Sequence, residues 1–159
     1  TPDPLWSRGL GDVYKRQNNR RSLLTKRAQT ILSNKIKNKV ITFLGVTFKA
    51  NTDDMRDSPS LDIINALQNA GAVIRAYDPE GMEEAKSILP GVNWCSDAYD
   101  AMEGADAVSI VTEWNQFRAL DLNRAKMLLK SPVIIDLRNI YKPDDMKAAG
   151  FIYKSIGRN

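Results

Sequence analysis

An open, doubly wound α/β fold on a parallel sheet is what the sequence predicts, and three observations predict it. Short apolar runs recur along the chain, Val40–Val46, Val73–Tyr77, Ala107–Val111 and Val133–Asp136 among them. They have the length and β-branched content of buried strands. Between them lie segments whose apolar residues fall near a 3.6-residue period, the mark of amphipathic helices. The connections are too long for hairpins, which implies parallel strands joined by crossovers. The expectation is a Rossmann-like doubly wound parallel sheet, preceded by a basic amphipathic helix.

Each element follows from local chemistry. Residues 18–38 read as a helix: Leu23, Leu24, Ala28, Ile31, Leu32 and Ile36 share one face, with Arg20, Arg21, Lys26, Arg27 and Lys35 between them. The first strand, Val40–Val46, follows. Ser58-Pro59 opens a helix to about Ala70, with serine as N-cap and proline at the first helical position, where its missing N–H costs nothing. Leu61, Ile63, Ile64 and Leu67 point inward, and Gly71 ends the helix. The second strand, Val73–Tyr77, closes with Asp78-Pro79. A short helix over about Gly81–Ile88 stops at Leu89-Pro90-Gly91, and Val92–Cys95 is a small strand. Asp97–Glu103 is a helical turn or two before the strand Ala107–Val111. Asp121 caps a helix through Leu129, and Val133–Asp136 is the next strand. Pro143 opens a helix ended by Gly150, and Phe151–Ser155 is the last strand.

Composition excludes several kinds of function. Residues 1–39 hold ten Lys or Arg against two acidic residues, while residues 40–159 hold thirteen against seventeen. The folded part is mildly acidic despite a formal charge of +4. A nucleic-acid surface shows as a basic patch on the fold itself, so no nucleic-acid partner is expected. No apolar run approaches the roughly 18 residues of a membrane span, and no stretch has the arrangement of a secretory signal. No membrane partner and a cytoplasmic location are expected. With one cysteine and no histidine, the chain offers no disulfide framework, no cysteine-rich or histidine-based metal site, and no Ser-His-Asp or Cys-His catalysis. Cys95 itself reads as a structural thiol. Residues 1–17 lack an initiator methionine and any sustained periodicity. They read as a translated adapter or leader, with the natural protein extending further upstream.

If the strand order is the Rossmann one, the strand at Val40 lies beside the strand at Ala107. Ligands then bind outside the carboxyl ends of the strands at that switch point. Three polar clusters are due there. One is the loop Phe48–Asp57, carrying Lys49, Asp53, Asp54, Arg56 and Asp57; the others are Thr112-Glu113-Trp114 and Asp136-Leu137-Arg138-Asn139. A plain strand-to-helix connection needs only about 2–6 residues, so the first cluster is long as well as charged. Lys49 and Arg138 are the leading candidates, because a point charge and a planar fork suit an anion such as a nucleotide diphosphate. The competing reading pairs each with a local carboxylate, Arg138 with Asp136 for instance. Trp114 is either an apolar wall or stacking face for a ligand, or a core or subunit-contact aromatic. Asp53 and Asp54 read as turn formers and helix-start charges, since no further ligand stands nearby at metal spacing. A dinucleotide site in this domain is not supported. Gly45 stands alone, without a G-x-G-x-x-G or a phosphate-loop pattern. Asp78-Pro79, where a dinucleotide-binding fold keeps its ribose acid, reads as a turn.

These motifs, in this order, resemble those of a known family. Gly-Val-Thr-Phe-Lys-Ala-Asn-Thr-Asp-Asp-Met-Arg-Asp-Ser-Pro-Ser at 45–60, Tyr77-Asp78-Pro79, Thr112-Glu113-Trp114, Asp136-Leu137-Arg138-Asn139 and the closing stretch Gly150–Arg158 are similar to the C-terminal, UDP-binding domain of the UDP-glucose 6-dehydrogenases. The similarity covers about residues 18–159. It implies that residues 18–38 are the end of the long helix linking the two halves of such enzymes and helping to form the homodimer. It implies that residues 39–159 are the UDP-sugar-binding domain. Phe48 and Lys49 match the Phe-Lys that contacts the UDP-sugar, Arg138 a substrate-binding arginine, and Arg56 the arginine that reaches the NAD held by the other domain. Such enzymes oxidise UDP-glucose to UDP-glucuronate, passing two hydrides to NAD through intermediates on a catalytic cysteine. Cys95 does not match that cysteine's motif, so no catalytic residue is assigned here and no turnover by this chain alone is expected. Two positions depart from the family pattern: Ala50 stands where proline is common in bacterial relatives, and Leu137 where glycine is frequent. UDP-N-acetylmannosamine and GDP-mannose dehydrogenases share the domain and remain alternatives. A non-catalytic nucleotide-binding or dimerisation module is the alternative from another class.

Overall fold

In the computed structural model, residues 36–47 and 59–155 are described. The basic helix up to residue 35 and the charged loop over residues 48–58 lie outside that range. The elements in chain order are β1 (Val40–Leu44), α1 (Pro59–Asn69), β2 (Val73–Tyr77), α2 (Met82–Lys86), β3 (Asn93–Trp94), α3 (Ala98–Met102), β4 (Ala107–Ile110), α4 (Asn115–Arg118), α5 (Leu122–Leu128), β5 (Val133–Asp136), α6 (Pro143–Ala148) and β6 (Ile152–Ser155).

The strands form one sheet in the order β3-β2-β1-β4-β5-β6, and every pairing is parallel. This is the doubly wound arrangement expected from the sequence. The chain works outward from β1 to β3 and then returns to lay β4 against the other side of β1. That reversal is the switch point.

Burial explains why the central strands read as continuous apolar runs. β4 and β5 are buried at every position, and β1 at all but its first. Helices cover both sides of the sheet, so neither face of these strands meets water. Successive side chains alternate between two cores. Ile41, Phe43, Ile74, Ala76, Val133 and Ile135 pack with Ile63, Ile64 and Leu67 of α1 and with Ala85 of α2. Leu44, Val108, Ile110 and Ile134 face the opposite core, filled by Ala101 and Met102 of α3, Phe117 of α4, Ala125 of α5 and Met146 of α6. Ile36 is helical and wholly buried in the first core.

Boundaries differ from the expectation where tertiary contacts intervene. β1 ends at Leu44 rather than Val46 because Gly45 turns to φ +85°, and the next two amides bond to a side chain instead of a strand. α4 has no counterpart in the sequence reading. Its four residues are too few to show a period, and only Phe117 among them is buried.

Candidate functional site

At the switch point the carboxyl end of β1 is held on both sides. Gly45 N–H donates to the Tyr77 carbonyl of β2 at 2.8 Å, and Val111 N–H, past β4, to the Leu44 carbonyl at 3.1 Å. Beyond the strands, the Thr112 hydroxyl donates to the Thr47 carbonyl at 2.8 Å, and the Ser60 hydroxyl to the Val46 carbonyl at 2.6 Å. Gly45 makes this approach possible. A Cβ there would stand 2.5 Å from the Thr112 Cβ and 2.9 Å from its backbone nitrogen. The chain therefore leaves β1 from a fixed point, Thr47, directly beside the end of β4.

Asp78 fixes the same point from the β2 side. Its carboxylate is wholly buried. Oδ2 accepts from Val46 N–H (2.8 Å), Thr47 N–H (3.2 Å) and the Thr47 hydroxyl (3.3 Å). Oδ1 accepts from Glu80 N–H (2.9 Å) and Gly81 N–H (2.7 Å). Both oxygens are occupied by this turn, so the acid at the ribose position of the fold is not presented to a ligand. Gly81 lets the turn close, since a Cβ on it would stand 2.4 Å from the Thr47 methyl.

Asp136 does the equivalent work after β5. It too is wholly buried. Oδ1 accepts from Arg138 N–H at 3.0 Å; Oδ2 accepts from Ile140 N–H at 2.8 Å, Tyr141 N–H at 3.2 Å and the Tyr153 hydroxyl at 2.6 Å. Asn139 takes the left-handed conformation, φ +56°, inside this wrap. The Tyr141 hydroxyl donates to the Phe117 carbonyl, tying the loop to α4. Burial above all, reinforced by the Asp136 charge, pushes the Tyr141 phenol well above its ordinary value. Tyr77 is shifted the same way, chiefly by burial and then by Asp78.

Arg138 thus has its backbone set by Asp136, but its side chain goes elsewhere. Nη2 donates to Glu113 Oε1 at 3.2 Å. The other Glu113 oxygen lies 3.9 Å from Nη2 of Arg118. The local pairing of Arg138 with Asp136 is therefore corrected. Asp136 is spent on backbone N–H groups and a phenol, and the guanidinium crosses to the end of β4. This brings the second and third polar clusters together, and Thr112, next to Glu113, joins them to Thr47, where the first begins. Phe48, Lys49 and Arg56 lie outside the described residues.

The remaining candidates resolve simply. Trp114 is buried in the second core among Phe117, Ile110 and Leu44, which settles it as a core aromatic. Cys95 is buried, with its thiol 3.5 Å from the Asn93 carbonyl, in keeping with a structural role. Among the described residues, no three His, Cys, Asp or Glu side chains stand together as a metal site requires, and no helix is long and apolar enough to cross a membrane. Sequence reasoning assigned no role to Glu113, although it placed Glu113 in a cluster due at this crevice.

Comparison with known proteins agrees with this geometry. Residues 42–143 match the model of the UDP-glucose/GDP-mannose dehydrogenase family, UDP binding domain. The chain belongs to the UDP-glucose/GDP-mannose dehydrogenase family. The match runs from β1 to the start of α6, so it contains the switch point and Arg138. The UDP-glucose 6-dehydrogenase of Rhizobium meliloti (strain 1021) is 48% identical over 140 residues, which are 88% of this chain and 32% of the relative. UDP-glucose 6-dehydrogenase TuaD of Bacillus subtilis (strain 168) is 48% identical over 124 residues, 77% of this chain and 27% of the relative. Among solved structures, an NDP-N-acetyl-D-galactosaminuronic acid dehydrogenase from Methanosarcina mazei Go1 superposes with a TM-score of 0.69 at 28% identity, covering 86% of this chain and 29% of that one. The chain spans about a third of the length of the curated relatives it matches. The described sheet is the core of the family's UDP binding domain.

Proposed function

We propose that residues 39–159 are the UDP-sugar-binding domain of an NAD-dependent UDP-glucose 6-dehydrogenase. Residues 18–38 are then the end of its linking helix, and residues 1–17 a non-native adapter or leader. Arg138, with Phe48 and Lys49 of the loop after β1, grips the UDP-sugar, and Arg56 reaches the NAD. The enzyme works as a homodimer in the cytoplasm.

The observation that carries this reading is the family match over residues 42–143, within which Arg138 stands at the carboxyl end of β5 beside the end of β4. That is where a doubly wound sheet receives its ligand. A guanidinium fork there suits the paired oxygens of a diphosphate. UDP-glucose is the preferred sugar nucleotide because relatives 48% identical bear that enzyme's name.

The described residues do not fit NAD in the usual place on this sheet. Both Asp78 oxygens are bonded within their own turn, and Gly45 packs on Thr112 instead of opening a phosphate-binding loop. NAD is accordingly assigned to another part of the enzyme, and this chain's task is to hold substrate.

Calorimetric titration of the 159-residue chain tests the reading. UDP-glucose should bind saturably and more tightly than GDP-mannose or UDP-N-acetylmannosamine. Tighter binding of either competitor would move the substrate within the family. No binding of any of the three would leave a dimerisation module as the better account.

A further inference from the structure

We propose that Glu113 is the positioning residue for Arg138. The inference rests on the reading that Arg138 grips the anionic part of a nucleotide sugar, and it adds how that arginine is held ready.

Asp136 fixes the Arg138 backbone but leaves the long side chain to find its own direction. Among the described residues that side chain has one partner, the Glu113 carboxylate at 3.2 Å. The bond uses Nη2 alone, so the Nε and Nη1 donors of the same planar fork are left for an incoming anion. Arg118, on α4, stands 3.9 Å from the other Glu113 oxygen. A second cation therefore flanks the carboxylate, at the oxygen that Arg138 does not use. A planar fork recognises paired oxygens only in the right orientation, and fixing it beforehand saves ordering it at the moment of binding.

Glu113 also brings a negative charge close to where an anion would arrive, so two effects oppose each other. Arg138 is 34% exposed and Glu113 43%, which puts the pair at the water-facing mouth of the crevice. The repulsion acts across high-dielectric water, where even two unit charges about 4 Å apart interact only weakly. The hydrogen bond that orients the fork is a direct contact at 3.2 Å. Orientation therefore outweighs repulsion, and losing Glu113 should weaken anion binding.

The test is calorimetric titration of the full 159-residue chain with UDP at physiological salt, with circular dichroism to verify folding. Glu113→Ala should weaken UDP binding about threefold, the scale of an exposed ion pair. Glu113→Gln, which keeps an acceptor of the same length without the charge, should restore most of that loss. In an Arg138→Ala background, Glu113→Ala should change nothing further, because it acts through that arginine. Unchanged or tighter binding by Glu113→Ala would overturn the inference alone, provided Arg138→Ala itself binds more weakly. An equal loss in both backgrounds would also overturn it. Unchanged binding by Arg138→Ala would overturn both this inference and the assignment of Arg138 to the substrate.

Discussion

Gly45 meets two demands at once: it adopts φ +85° and it lets Thr112 come within the space a side chain would fill. Gly104 meets only the first, with φ +74° and nothing within 4 Å of where its Cβ would be. Alanine at Gly104 should cost about 1–2 kcal/mol in urea denaturation, the left-handed penalty alone. Alanine at Gly45 should cost about 2–4 kcal/mol, because overpacking against backbone adds to that penalty. Equal losses at the two sites would show that the close approach of β1 and β4 is not a constraint. The two wholly buried aspartates, Asp78 and Asp136, differ in how much the sequence tells of them. Asp78-Pro79 is legible as a turn because two of its bonds, to Glu80 and Gly81, are local. Its hold on Val46 and Thr47 spans more than thirty positions and leaves no local trace. The competing reading that pairs Arg138 with Asp136 fails for the same reason. Its nearest carboxylate in sequence is Asp136, but its partner in space is twenty-five positions away.

At the scale of elements, the strands were legible because full burial turns β1, β4 and β5 into apolar runs, whereas their order had to be taken from the Rossmann pattern. Helices were legible wherever they run long enough to show a face or carry a cap, as Asp121 does by accepting from Arg124 N–H. α4 was not, since its place comes from Phe117 entering the second core and from the Tyr141 hydroxyl on the Phe117 carbonyl. That last contact makes the seating of the β5–α6 loop sensitive to alkali. The Tyr141 phenol ionises at a higher pH in the folded chain than its ordinary value of 10.0. Its contribution to stability is therefore complete below pH 10 and is lost as pH rises above it. Unfolding free energy should fall by at most about 1.4 kcal/mol per pH unit above that point through this one proton. Tyr141→Phe should be less stable at pH 8 but show a shallower decline between pH 10 and 12. Parallel declines for the two proteins would remove Tyr141 as the cause, leaving Tyr77, which is shifted in the same direction.

For the molecule as a whole, the sheet order sets a switch point, and among the described residues polar side chains from separate strand ends gather beside it. Thr47, Thr112, Glu113 and Arg138 form one continuous path from β1 through β4 to β5. The sequence located this meeting place through strand order alone, while the partners within it depended on contacts between distant positions. Two carboxylates, Asp78 and Asp136, brace the loops on either side, so the base of the proposed site is built by the fold itself. The most direct measurement is a crystal structure of the chain with UDP. The diphosphate should lie at the carboxyl ends of β1, β4 and β5, with an oxygen about 2.7–2.9 Å from the Arg138 guanidinium. A diphosphate bound on the Asp78 side between β1 and β2, out of reach of Arg138, would contradict the account.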